Sequence, residues 1–90
     1  MDAAILLKDL KTDLGIKSEA FDDRLLSRIG TAQELIAAEG ATLTDSEADR
    51  DLVVMYAAWL WRSRVTGEKM PDMLRYALNN RVLGQKARQT

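Results

Sequence analysis

Ten consecutive residues, Leu52, Val53, Val54, Met55, Tyr56, Ala57, Ala58, Trp59, Leu60 and Trp61, carry no charge, and in a chain of 90 residues that run constrains everything else. It follows Thr44-Asp45-Ser46-Glu47, a capping-box pattern in which Thr44 and Glu47 satisfy each other's backbone donors, and it precedes Gly67. The expected element is therefore a helix over about residues 44–65. On such a helix Leu52, Tyr56, Trp59 and Leu60 share one face, and Val54, Ala57, Ala58 and Trp61 share another. A helix apolar on all sides belongs in an interior. Its tryptophans read as core rather than as a ligand box. A chain this short covers only part of such a helix, so a second subunit is expected over the remainder.

The other segments read as amphipathic helices with local punctuation. Residues 2–14 place Ala3, Leu6, Leu7, Leu10 and Leu14 on one arc, with Asp2 as N-cap and Gly15 as the left-handed stop. Ile5 falls outside the arc. A second helix, from about Asp22 to Glu39 before Gly40, carries the stripe Phe21, Leu25, Ile29, Ala32 and Ile36, flanked by Leu26 and Ala37. Ser18, Asp22 and Asp23 supply capping oxygens and negative charge at its start. The two aspartates are consecutive and about 100° apart on a helix, which suits a helix start better than a metal or acid-base pair. Gly30 lies beside the stripe, and its cost of roughly 1 kcal/mol relative to alanine predicts close approach of a neighbouring helix. Met70-Pro71-Asp72 opens a fourth helix whose arc is Met73, Leu74, Ala77, Leu78 and Val82. Arg81 falls inside that arc, where it needs a carboxylate or a route to water. Gly84 should end the helix and leave residues 85–90 as a short basic tail, expected to be mobile.

The fold class these patterns predict is all-α: one compact bundle of about four helices over residues 1–84, with a long central apolar third helix. Leu10, Leu14, Leu25, Ile29, Ile36, Leu52, Tyr56 and Trp59 are its expected common core. With no cysteine and no histidine, the chain lacks disulfides, thiol nucleophiles, imidazole acid-base chemistry and the usual zinc ligands. No catalytic, cofactor or metal residues are assigned, and no enzyme is expected. No basic region precedes the first apolar stretch and no apolar run reaches spanning length, so no secretory signal or membrane segment is expected and the chain should start in the cytoplasm.

Charge is distributed unevenly. Residues 1–49 hold five basic and eleven acidic side chains, net −6, and residues 50–90 hold eight and three, net +5. Such polarity suits head-to-tail contact between copies, or else neutralisation by the two halves folding together.

The opening Leu7-Lys8-Asp9-Leu10-Lys11-Thr12-Asp13-Leu14-Gly15-Ile16 resembles that of the small head-tail connector, or head-completion adaptor, proteins of tailed bacteriophages and prophages. The resemblance continues through Asp22-Asp23-Arg24-Leu25-Leu26-Ser27-Arg28-Ile29 with Ala32, through Tyr56-Ala57-Ala58-Trp59-Leu60, and through Met70-Pro71-Asp72-Met73-Leu74-Arg75-Tyr76-Ala77-Leu78-Asn79-Asn80-Arg81. It is carried by the order and spacing of these four segments, not by any one of them. It implies a homo-oligomeric ring, dodecameric in the family, at the head-tail junction of a virion, assembled from chains made in the host bacterium. The ring would extend the portal channel, seal the DNA-filled head and dock the tail or a further adaptor. DNA would pass through it without being read, and no cofactor is involved. Family members commonly carry a longer carboxy-terminal extension that engages the portal; here the segment after Gly84 is brief.

Under this reading the candidate subunit interface comprises Asp9, Asp13, Asp22 and Asp23 on the acidic side. Arg62, Arg64 and Arg81 form the basic side, and the apolar patch is Val54, Ala58 and Trp61. Arg75, Lys86 and Arg88 are candidate portal contacts. Two alternatives stand beside it. One is a small helical DNA-binding regulator, although Arg62, Arg64, Arg75, Arg81, Lys86 and Arg88 form no dense stripe. The other is a monomeric partner-binding module that uses the Trp61 face.

Overall fold

A computed structural model describes the backbone of residues 1–89 and the side chains through Lys86. Among the described residues there are four helices and no strand: α1 (Ala3–Leu14), α2 (Asp22–Ala38), α3 (Glu47–Thr66) and α4 (Asp72–Gln89). The all-helical architecture and the helix count follow the sequence patterns.

Local chemistry sets most boundaries. The Asp2 carboxylate accepts from the Ala4 N–H at 2.9 Å, and Gly15, at φ 71°, turns its N–H back onto the last carbonyls of α1. Gly67, at φ 66°, ends α3 in the same way. At α2 the first residue outside the helix is Phe21, whose side chain makes no capping bond, while Ser18 accepts from the Ala20 N–H in the preceding turn. Asp22 and Asp23 supply the negative charge of the first turn.

The start of α3 differs from the expected box by two residues. Ser46, not Thr44, is the N-cap and accepts from the Asp49 N–H at 3.2 Å. Asp49 then turns its carboxylate away from the cap, towards Thr44 and α4. The fourth helix also departs from expectation, because Gly84 does not end it. Glycine lowers helix stability without forbidding it, and Gln85, the next residue, is fastened to the α2–α3 loop.

The core is built from Leu6, Leu10, Leu25, Ile29, Ala32, Ile36, Leu52, Val53, Tyr56, Ala57, Leu74 and Leu78, with Val54, Ala58 and Trp61 included. Leu14 and Trp59, expected inside, pack at its margin. α3 lies at the centre: α1 and α2 pack on it and on each other, and α4 packs on it too. Its middle is buried on every side, as an uncharged run requires. It is not an apolar rod throughout, because Trp59 and Leu60 are only partly buried and Val65 is 78 % exposed. Gly30 corrects another expectation, since a Cβ there would meet no atom within 4 Å and no neighbouring helix makes use of its small size.

Candidate functional site

Asp49 is the one buried charged residue among those described, at 2 % exposure. Sequence places it in the first turn of α3, and the Thr44 backbone N–H and hydroxyl both donate to its Oδ2 at 2.8 Å. Arg81 on α4 completes the site, donating from Nε to Oδ1 at 2.7 Å and from a terminal nitrogen to Oδ2 at 3.2 Å. The second of those nitrogens also donates to the Thr42 carbonyl at 2.7 Å. Gln85, one turn on, donates to the Gly40 carbonyl at 3.2 Å and accepts from the Thr42 N–H at 2.6 Å. This two-pronged contact satisfies backbone groups of a loop that has no helix or sheet of its own to do so.

The Arg81 hydrogen bonds hold the Asp49 carboxyl down at about 2, against burial, with the Thr44 donors assisting. Arg81 is raised in turn, first by its hydrogen bond to Asp49. Tyr56 is pushed up by burial and, beyond that, by the Glu39 charge. No buried polar side-chain atom of the Asp49–Arg81 cluster lacks a partner, so the cluster holds the fold together.

It also corrects the expected interface. The carboxylate that Arg81 needs lies in its own chain, 32 residues away in sequence, not on a neighbouring subunit. Val54, Ala58 and Trp61 are likewise core side chains of one copy, because α1 and α2 on one side and α4 on the other cover both faces of α3. Phe21 packs edge-on against Trp61 with ring centroids 5.6 Å apart. The Arg64 guanidinium stacks 3.6 Å from the Trp61 ring centre and donates to the Trp61 carbonyl. Asp22 is engaged by Lys11 at 2.8 Å, which ties α1 to the start of α2, and Arg75 pairs with Glu39 at 2.9 Å. Lys86 is exposed, and the Arg88 side chain lies outside the described residues.

What remains free is more polar. Asp9, Asp13 and Asp23 are exposed, and Asp9 and Asp13 line a groove between α1 and α3 together with Glu47 and Asp51. Four carboxylates around one groove of about 440 Å³, none in an ion pair among the described residues, form an uncompensated acidic surface. Asp51 was not singled out in the sequence, and Glu47 only as part of a capping box; their i, i+4 spacing on one helix face was the available signal. Arg62, near the other end of α3, is exposed and borders a crevice with Asp13 and Glu68 without pairing with either. A second groove, about 490 Å³, runs along α1, where Leu7 and Ile16 are flanked by Lys8, Lys11 and Lys17. Neither groove gathers the nucleophile, base and oxyanion donors that acyl or phosphoryl transfer requires.

Fold and surface together define a small all-helical domain with one internally locked loop and unpaired charge of opposite sign along its central helix. No family model, no curated protein and no solved structure matches the chain. Among the described residues, no three or more Asp or Glu side chains converge closely enough to hold a metal ion, and no helix is long and apolar enough to cross a membrane.

Proposed function

We propose that this chain is a structural subunit of a head-tail connector ring, which extends the portal channel, seals the filled head and docks the tail. The observation that carries the reading is the placement of free charge on α3. The acidic groove of Asp9, Asp13, Glu47 and Asp51 lies along its first half, and the unpaired Arg62 and the exposed Arg64 lie near its end. Asp51 and Arg62 are eleven positions apart, roughly 16 Å along a helix axis. Two different, complementary patches on one subunit are what a head-to-tail contact uses, and such contacts close into rings when the rotation permits. The ordered resemblance of the four segments to phage connectors supplies the biological setting, with the virion's head-tail junction as the place of action and portal and tail as partners.

The proposed interface therefore differs from the one the sequence suggested: Asp9, Glu47 and Asp51 form its acidic side and Arg62 and Arg64 its basic side, while Asp13 borders the Arg62 crevice of its own chain. A DNA-binding regulator draws less support, because Arg75 and Arg81 are held by Glu39 and Asp49. Negative-stain imaging of the purified protein, alone and with portal, tests the proposal. Rings are expected at least on portal. Asp9→Lys with Asp51→Lys should abolish them, and adding Arg62→Glu with Arg64→Glu should restore them. Failure to form rings or bind portal, together with tight duplex binding at moderate salt, would replace the connector reading with the regulator.

A further inference from the structure

α4 has two apolar faces, and the core uses only one. Leu74 and Leu78 are turned inward and fully buried, whereas Met73, Tyr76 and Leu83 are 75 %, 63 % and 63 % exposed. Asn80, also exposed, lies between them. The spacing Met73, Tyr76, Asn80, Leu83 is three, four, three, the a/d spacing of a two-helix seam. At 100° per residue the four fall within an arc of about 80° that contains no charged side chain. Asp72 and Lys86 flank this arc on the same edge, one at each end of it.

We infer that α4 pairs with α4 of a second copy of this chain, antiparallel, through this outward stripe. Charge placement selects both occupant and direction. In the antiparallel register Met73 packs on Leu83 of the second copy, Tyr76 faces its Asn80, and Asp72 meets its Lys86. The two-fold axis repeats each contact. The Tyr76 hydroxyl and the Asn80 amide are complementary, so the polar residue in the seam is satisfied. A parallel pair leaves both charges without partners, since Asp72 then faces Ala77. Antiparallel helices also oppose their dipoles. The seam spans eleven residues, roughly 15 Å from Met73 to Leu83, which is small for a specific interface and makes the pair concentration-dependent. This contact does not rest on the connector reading: a two-fold pair closes on itself and builds no ring, so it describes the chain in free solution.

Sedimentation over a concentration series should show a reversible monomer–dimer equilibrium. Leu83→Glu, at an exposed position, should weaken it by about tenfold or more with unchanged helical circular dichroism. Asp72→Lys and Lys86→Glu should each weaken it, and the double variant should recover it. The chain has no cysteine, so introduced thiols report direction without interference. Met73→Cys mixed with Leu83→Cys should cross-link under mild oxidation, while each alone should not. A parent protein that stays monomeric at its highest attainable concentration overturns the inference. So do efficient homodisulfides in the single variants, or a double charge swap that restores nothing.

Discussion

At the residue scale the fold depends most on Asp49, because a carboxylate this deeply buried is tolerable only while Arg81 and Thr44 satisfy it. Its folded value of about 2 lies below the ordinary 3.8, so the folded state favours the ionised form. The resulting stabilisation, about 2 kcal/mol, is present in full above the unfolded value and is lost as pH falls towards 2. Urea titrations at pH 6, 4 and 3 should show that loss. Asp49→Asn should be less stable at pH 6 and should lose this part of the pH dependence. Arg81→Glu should act on the fold of one chain, since its carboxylate partner lies in that chain. It would set two carboxylates against each other inside one chain, so it should destabilise the fold by about 3 kcal/mol or more before any effect on assembly is seen.

At the scale of elements, α2 is held by side chains that the helix period identified. Leu25, Ile29, Ala32 and Ile36 are all buried, and Leu25→Ala should cost about 2 to 5 kcal/mol by chemical denaturation. A loss below about half a kcal/mol would contradict the packing of this face. The same helix contains Gly30 in ordinary helical conformation with open space where a Cβ would sit. Gly30→Ala should therefore stabilise the protein by up to about 1 kcal/mol, visible as a raised denaturation midpoint. Gly15→Ala should do the opposite, because its φ of 71° is unfavourable for any residue with a Cβ.

For the whole molecule, the lopsided charge of the sequence is partly used up by folding and partly left over. Glu39–Arg75 and Asp49–Arg81 join the acidic half to the basic half, whereas Asp9, Asp13, Glu47, Asp51 and Arg62 stay unpaired among the described residues. The two proposed contacts therefore differ in their response to salt. Ring formation through exposed charge should weaken steeply as ionic strength rises, because screening shortens to about 3 Å at 1 M. The α4 pair, whose seam is mostly apolar, should persist in the same buffer. Parallel imaging and sedimentation at low and high salt check both.

Short-range signals were legible in the sequence because a cap or a stripe acts over one or two turns. Asp2, Gly15 and Gly67 marked helix ends, and the 3.6-residue period gave the buried face of α2. Thr44, the expected cap of α3, was displaced by one competing hydroxyl, Ser46, only two residues away. The tertiary structure alone decided what depends on distant residues. It assigned Arg81 to Asp49 across 32 positions, carried α4 through Gly84 so that Gln85 could reach Gly40 and Thr42, and put Val54, Ala58 and Trp61 in the interior. Periodicity shows that a helix has apolar faces; which neighbour covers each face depends on how all the helices pack at once, and no local run of residues encodes that.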